Sequence, residues 1–143
     1  MPTRTAARKR LPSSSAVARD LSIKLAEDRP GELAGLVRTL STAGINIDGL
    51  AEVDGMVHVL VHNVTPARTC LREAGYQIEQ EREVVVIPLP DRPGELALIF
   101  GQLAEAGVNI RFSYLATETR IVVGADNVLE ARSALEKGGR RPA

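Results

Sequence analysis

A seven-residue segment occurs twice in this chain, and its repetition constrains the fold more than any other feature. The segment D-R-P-G-E-L-A stands at Asp28–Ala34 and again at Asp91–Ala97, 63 residues later. The same offset relates Leu40 to Leu103 and Asn46 to Asn109, and after the next predicted hairpin the offset becomes 64. A repeat of this kind indicates two copies of one supersecondary unit.

The first copy has the residue pattern of a β-α-β-β-α-β unit. Apolar and polar residues alternate over Leu21–Leu25, and apolar residues from Leu33 to Leu40 recur with helical spacing. Asp28 or Arg29 is predicted to cap that helix, which Gly44 ends. The later predicted elements are two strands joined by an Asp-Gly turn, a helix and a final strand: Ile47–Val53, Met56–His62, Thr65–Ala74 and Tyr76–Glu81.

The second copy repeats this order but ends early. Its predicted elements are Val84–Leu89, Glu95–Ala106, Ile110–Thr117, Thr119–Ala125 and Val128–Lys137. The remaining residues, G-G-R-R-P-A, form a poor strand, so the second copy is expected to lack a clear fourth strand. The predicted fold is therefore α+β, with two ferredoxin-like modules that form an antiparallel sheet with helices on one face. The predicted divisions are a disordered basic tail (1–19), two modules (20–82 and 83–137) and a C-terminal tail (138–143).

Charge and composition exclude several classes of function. Residues 1–20 carry five basic side chains and one acidic one, whereas the rest of the chain carries thirteen basic and seventeen acidic residues. A mildly acidic body argues against nucleic-acid binding, which needs a concentrated basic face. The single cysteine, Cys70, excludes an internal disulfide and a thiolate metal cluster. No apolar run approaches the roughly 20 residues of a membrane span, and the N-terminus lacks the apolar region of a secretory signal, so we expect a cytoplasmic protein.

The repeated segment has two physical interpretations. Gly31 and Gly94 near a helix start can serve turn geometry alone, or they can let a ligand approach the backbone. A helix N-terminus offers unpaired N–H groups and partial positive charge, which suit a carboxylate. Asn46 and Asn109, at the start of the next strand, can each donate and accept hydrogen bonds. The recurrence of these features in the same order favours a binding role.

D-R-P-G-E-L, a helix and then A-G-I-N-I together resemble the signature of ACT domains, which are small regulatory modules that bind amino acids. The resemblance covers both copies, from about Asp20 to Lys137, and is that of a stand-alone tandem ACT protein. It implies that modules pair side by side into an eight-stranded sheet. It also implies that effectors lie between the loop of one module and the second strand of its neighbour. Carried onto this chain, the implied ligand-binding residues are Asp28, Arg29, Pro30, Gly31, Glu32, Leu33, Asn46, Ile47, Asp91, Arg92, Pro93, Gly94, Glu95, Leu96, Asn109 and Ile110.

The resemblance implies an amino-acid effector, and we expect a homodimer or larger homo-oligomer with no cofactor and no metal. Asp48 in the first copy corresponds to Arg111 in the second, so the two sites would differ in charge. We found no phosphate-binding loop, nucleophile motif or metal-ligand spacing, so no enzymatic activity is expected. His58 and His62 are about 13 Å apart along a strand, too far for one metal ion to take both.

Three function classes stay open from the sequence. The first is an amino-acid sensor. The second is a regulatory subunit that docks on a separate biosynthetic enzyme, as the small subunit of acetolactate synthase does. The third is an ACT-like structural module that has no ligand. A single-stranded RNA platform, for which Phe112 and Tyr114 would supply stacking aromatics, is disfavoured because the body is acidic and because alternation places Phe112 on the helix-packed face with Ile110.

Overall fold

A computed structural model describes residues 15–138 of the chain. The predicted C-terminal tail, apart from Gly138, and most of the basic tail lie outside this range. The described residues form six strands and four helices: β1 Ala16–Lys24, α1 Glu32–Thr42, β2 Ile47–Val53, β3 Met56–Val61, α2 Val64–Glu73, β4 Gln77–Pro88, α3 Glu95–Glu105, β5 Ile110–Ala116, β6 Arg120–Ala125 and α4 Val128–Gly138. No helix in this range combines the length and the apolar character needed to cross a membrane.

The predicted open, ferredoxin-like sheet is wrong. The six strands are hydrogen-bonded in the order β1-β3-β2-β5-β6-β4, and the sheet closes as a barrel. One cause is visible in β4, which runs unbroken from Gln77 to Pro88, where the sequence predicted two separate strands. The residues between those predicted strands, Arg82 and Glu83, include no glycine, proline or asparagine to turn the chain. Strand β1 is also longer than predicted, since it begins at Ala16 rather than at Leu21.

The chain divides into two compact units, which we call the first unit (18–82) and the second unit (15–17 with 83–138). The first unit has its own hydrophobic core, in which α1 and α2 contribute Leu36, Leu40, Ala67 and Leu71 and the strands contribute Leu21, Ile23, Val57, Val59 and Val61. Every one of these side chains is at most 4% exposed. Burial of this apolar surface is the main force that holds the helices on the sheet.

Strand register fixes which loops of the first unit lie together. Antiparallel pairing places Lys24 of β1 opposite Met56 of β3, and Val53 of β2 also opposite Met56. The backbone N–H of Leu25 donates to the carbonyl of Gly55 at 2.8 Å. The β1–α1 loop and the β2–β3 hairpin therefore lie at one end of the sheet. The start of β2 lies at the other end, where Ile47 pairs with Val61.

The second unit has an equivalent core of its own. Its buried members come from β4, α3, the α3–β5 turn, β6 and α4: Val85, Ile87, Ile99, Leu103, Val108, Ile121, Val123, Ala125, Ala131 and Leu135. Ser15, the first residue that the structure describes, contacts α4. Its hydroxyl donates to Glu136 at 3.2 Å, and its carbonyl accepts from the guanidinium of Arg132 at 3.3 Å.

A β-bulge changes the side-chain alternation in both copies. The register shifts between Ile47 and Gly49 in β2 and between Ile110 and Phe112 in β5. Ile110 contacts the helix-side core, but Phe112 instead stacks with Tyr114, with ring centroids 6.2 Å apart. The prediction that Phe112 shares the helix-packed face with Ile110 is therefore wrong, because one extra residue in a strand moves every later side chain to the opposite face.

A shared carboxylate connects three elements of the first unit. Glu81 of β4 accepts two hydrogen bonds from Arg68 of α2, at 2.9 and 3.0 Å, and one from Arg19 of β1 at 2.7 Å. The Glu81 side chain is only 18% exposed. The hydrogen bonds from Arg68 and then from Arg19 hold the pKa of Glu81 below its usual range, against the opposing effect of burial.

We expect Glu81→Gln to lower the free energy of unfolding at pH 7 by roughly 1 kcal/mol, because charge-assisted hydrogen bonds become neutral ones. A lowered folded-state pKa gives stability that is complete above the unfolded value, about 4.3, and is lost as pH falls through the folded value. The difference between wild type and variant should therefore shrink below about pH 4. Urea unfolding at a series of pH values measures this difference in the free energy of unfolding. A difference that stays constant down to pH 3 would contradict this account.

Candidate functional site

The two copies of the repeated segment adopt the same conformation. Each glycine is the N-cap of the helix that follows, with a φ of 95° at Gly31 and 91° at Gly94. The prediction that Asp28 or Arg29 caps α1 is therefore wrong, and no side chain caps either helix. A Cβ at either glycine would meet no atom within 4 Å. Glycine is therefore required by the left-handed backbone conformation and not by steric crowding.

An ion pair within the segment stabilises each loop. The guanidinium Nε of Arg29 donates to Glu32 at 2.8 Å, and that of Arg92 donates to Glu95 at 2.6 Å. Arg29 also lies 3.7 Å from Glu27. The identity of the two segments therefore has a local explanation, since arginine, glycine and glutamate together define one loop geometry.

A pocket of about 430 Å³ lies beside the first copy of this loop, and we call it the loop pocket. Its polar side chains come from the end of β1, the β1–α1 loop, the first residue of α1 and the turn before β4: Lys24, Glu27, Arg29, Glu32, Tyr76 and Gln77. Leu25, Ala26 and Ala74 supply apolar lining. The four charged groups comprise two cations and two anions, so the lining carries both signs of charge.

The asparagine at the start of β2 lies in a different pocket. This second pocket, of about 470 Å³, is lined by polar residues that include Asn46, Asp48, His62 and Asn63, and we call it the strand-start pocket. Asn46 donates to the Asp48 carboxylate at 2.9 Å. Because the register puts the start of β2 at the opposite end of the sheet from the loop, the two groups of predicted site residues do not meet within the first unit.

The remaining predicted site residues are divided between surface and core. Asp28, Pro30, Asp91 and Pro93 are exposed. Leu96 is 36% exposed, whereas its counterpart Leu33 packs against the first core. The isoleucines that follow the two asparagines, Ile47 and Ile110, also pack against their own cores.

The start of β5 in the second unit holds an ion pair. Arg111 donates twice to Asp126, at 2.6 and 3.0 Å, and Asn109 contacts the same carboxylate at 3.5 Å. The hydrogen bond that Arg111 donates to Asp126 raises the pKa of Arg111. The equivalent residues of the first unit are Asp48 and His62.

A buried polar cluster on β1 and β3 does not have the geometry of a nucleophilic site. Asp20 is fully buried and contacts Nδ1 of His58 at 3.0 Å, and Ser22 lies 3.5 Å from the same nitrogen. A serine–histidine–aspartate relay needs its serine and its carboxylate on different ring nitrogens.

Burial, followed by the charge of Glu73, raises the pKa of Cys70, which disfavours a reactive thiolate. Within residues 15–138, no group of three or more metal-ligating side chains could hold an ion.

Sequence reasoning missed several residues that line the loop pocket, namely Lys24, Glu27, Tyr76 and Gln77. A usable signal existed, because in the predicted β-α-β-β-α-β order the turn before the fourth strand lies beside the loop after the first strand. Gly75 marked that turn, and Tyr76 follows it directly.

No protein-family model matches the chain, and no curated protein matches it. Solved structures do. Protein BT0572 from Bacteroides thetaiotaomicron is similar with a TM-score of 0.73 and 28% identity, over 86% of this chain and 89% of that one. The regulatory subunit of aspartate kinase from Thermus flavus is similar with a TM-score of 0.63 and 21% identity, over 87% of this chain and 95% of that one.

Escherichia coli aspartokinase III, in a complex with lysine and aspartate, is similar with a TM-score of 0.58 and 18% identity, over 90% of this chain and 32% of that one. The likeness to the regulatory subunit spans nearly its full length, whereas the likeness to the whole kinase covers about a third of it. These likenesses show that the chain has the fold of the regulatory subunit of aspartate kinase from Thermus flavus.

Proposed function

We propose that this chain is a small regulatory protein that binds a free amino acid at the repeated loop and catalyses no reaction itself. The observation that carries the proposal is the loop pocket, which lies directly beside the first D-R-P-G-E-L segment. Its volume of about 430 Å³ is in the usual range for small-molecule sites.

The chemistry of the pocket lining supports an amino acid as the ligand. A free amino acid carries a carboxylate and an ammonium group, and the lining offers cations and carboxylates within one pocket. The pocket also includes Glu32, the first residue of α1, where N-terminal N–H groups and the helix dipole favour a carboxylate. Arg29 is held by its contact with Glu32 at 2.8 Å, so the loop is ordered before a ligand arrives.

The structural neighbours support the effector class. Aspartokinase III was solved with lysine and aspartate, and the Thermus protein is a regulatory subunit rather than a catalytic one. We extend to this chain the role of a cytoplasmic sensor whose modules are 20–82 and 83–137. We also propose a homodimer or larger homo-oligomer, in which the start of β2 of a second copy, with Asn46 and Ile47, completes the loop pocket.

A second candidate is a regulatory subunit that docks on a separate enzyme of amino-acid biosynthesis. This alternative is favoured because the structural likeness covers 95% of the length of the Thermus flavus protein, which is itself a regulatory subunit of aspartate kinase. Under this alternative the amino acid would act on a partner enzyme. Co-purification of the tagged full chain with a larger catalytic subunit tests it.

Thermal unfolding against each of the twenty amino acids at millimolar concentration tests the main proposal. A ligand present at about 100 times its dissociation constant adds roughly 2.7 kcal/mol, which raises the unfolding midpoint of a chain of this size by several degrees. One or two clear responders would support the sensor. A flat panel would favour the docking subunit or a structural module that has no ligand.

Replacing both cap glycines tests the loop assignment. Gly31→Ala and Gly94→Ala each force an L-residue into the left-handed region, which costs about 1–2 kcal/mol and displaces the loop backbone. We expect the double variant to bind the responding amino acid at least about tenfold more weakly, because the loop is no longer ordered for the ligand. Titration calorimetry measures the affinity, circular dichroism checks the fold, and unchanged affinity in the folded double variant would refute the assignment.

A further inference from the structure

We propose that the effector binds at the first copy of the loop alone, at one molecule per chain, where Lys24 holds its carboxylate and Glu27 its ammonium group. This inference rests on the proposed function and goes further, since it selects one of two copies that share an identical segment. It also requires that the ligand be an amino acid whose carboxylate and ammonium groups are both unmodified.

The partners of the four charged residues in the loop pocket distinguish their roles. Arg29 already pairs with Glu32 at 2.8 Å, whereas its contact with Glu27 is long, at 3.7 Å. Glu27 is 57% exposed and can turn to a ligand without breaking a short ion pair. Lys24 is exposed and forms no salt bridge anywhere in the described range. One cation and one anion of the lining are therefore available to the two charges of an amino acid.

The residues that lead into the second loop lack these charges. Strand register places Pro88 opposite Arg120 as it places Lys24 opposite Met56, so Pro88 occupies the position of Lys24. Pro90 directly precedes Asp91, as Glu27 directly precedes Asp28. Neither proline carries a charge, and Leu89 between them packs against the second core. The second loop keeps its glycine cap and its own arginine–glutamate pair, so the helix that follows begins with the same geometry. It lacks the side chains that would recognise a zwitterion.

The starts of β2 and β5 give an independent indication of the same asymmetry. In the second unit Arg111 and Asp126 satisfy each other through two hydrogen bonds. In the first unit the equivalent residues, Asp48 and His62, line the strand-start pocket, where Asp48 accepts a hydrogen bond from Asn46. Both predicted parts of a binding site therefore line pockets with polar side chains in the first copy. In the second copy the loop lacks counterparts of Lys24 and Glu27, and the strand start contains an ion pair between Arg111 and Asp126.

The test begins with the full chain and the twenty free amino acids, followed by titration calorimetry of the strongest responder and of its methyl ester. We expect a stoichiometry near one per chain. Lys24→Met and Glu27→Gln should each weaken binding at least about tenfold, since each removes a charge-assisted contact. Pro90→Ala, at the position that matches Glu27, should leave the affinity unchanged.

The methyl ester separates the role of Lys24 from a loss of fold. The ester lacks the carboxylate, so wild type should bind it at least about tenfold more weakly than the free acid, while Lys24→Met should barely distinguish the two. Two molecules per chain, equal discrimination by wild type and Lys24→Met, or a loss in Pro90→Ala would overturn the inference while the proposed function stands. Absence of binding by all twenty amino acids would overturn both.

Discussion

Leu40→Ala should lower the free energy of unfolding of the first unit by about 2–5 kcal/mol. Leu40 lies in α1, is fully buried, and contacts a core made only of residues from the first unit. Its removal takes away apolar contacts and leaves a cavity that the surrounding helices and strands fill only in part. The equivalent change in the second unit, Leu103→Ala, should have a similar effect because Leu103 is also fully buried.

Urea unfolding followed by tyrosine fluorescence measures both variants. The chain has two tyrosines and no tryptophan, and Tyr76 belongs to the first unit while Tyr114 belongs to the second. Tyr114→Phe leaves a chain whose signal comes from the first unit alone. Arg38→Ala, on the exposed side of α1, is the matched surface control and should change stability by less than about 0.5 kcal/mol. A loss below about 1 kcal/mol in Leu40→Ala would contradict the assigned core.

Gly124→Ala is expected to destabilise the second unit by about 1–3 kcal/mol. Gly124 of β6 pairs with Phe112 of β5, and the phenyl ring occupies the space that a side chain at 124 would need. An added Cβ would lie within 2.7 Å of three carbons of that ring. The ring must therefore move, which would disturb its stacking with Tyr114.

A double-mutant cycle tests that explanation. In a Phe112→Ala background the added methyl group has room, so the effect of Gly124→Ala should fall to less than about 0.5 kcal/mol. Gly101→Ala is the contrasting control, because a Cβ there meets nothing within 4 Å and alanine favours the helix α3 by about 0.5–1 kcal/mol. If Gly124→Ala destabilises equally with and without the phenyl ring, the steric explanation is wrong.

Much of the local structure could be predicted because local signals determine it. The Asp-Gly turn and the helical spacing of leucines placed β2, β3 and the four helices within one or two residues of their observed bounds. The closure of the sheet could not be predicted in the same way. It depends on pairings between strands far apart in sequence, and periodicity says only that a segment is a strand. The two bulges are a further case, since no single residue type announced the extra residue in β2 or β5.

The candidate site also contains parts that local sequence signals predict and parts that only the fold brings together. The loop and its glycine were predicted correctly as a helix entry, because proline and glycine at fixed spacing constrain the backbone directly. The cap residue was assigned wrongly because Asp28 is a good capping residue in general, while the left-handed glycine three positions later ends the loop here. The other lining residues come from β1 and from the turn before β4, so they could be found only through the fold.

The limits of the two sequence repeats differ from the limits of the two structural units. Strand β4 continues through the point where the two copies meet, and the second unit includes residues 15–17, from the other end of the described chain. A contiguous fragment can therefore contain the whole of the first unit, but any fragment that holds the second unit alone is incomplete. Deletion of residues 1–17 would remove Ser15 from α4 while leaving every residue of the second copy of the repeat in place. Fragments of this protein for expression should accordingly be designed from the strand ends rather than from the limits of the repeat.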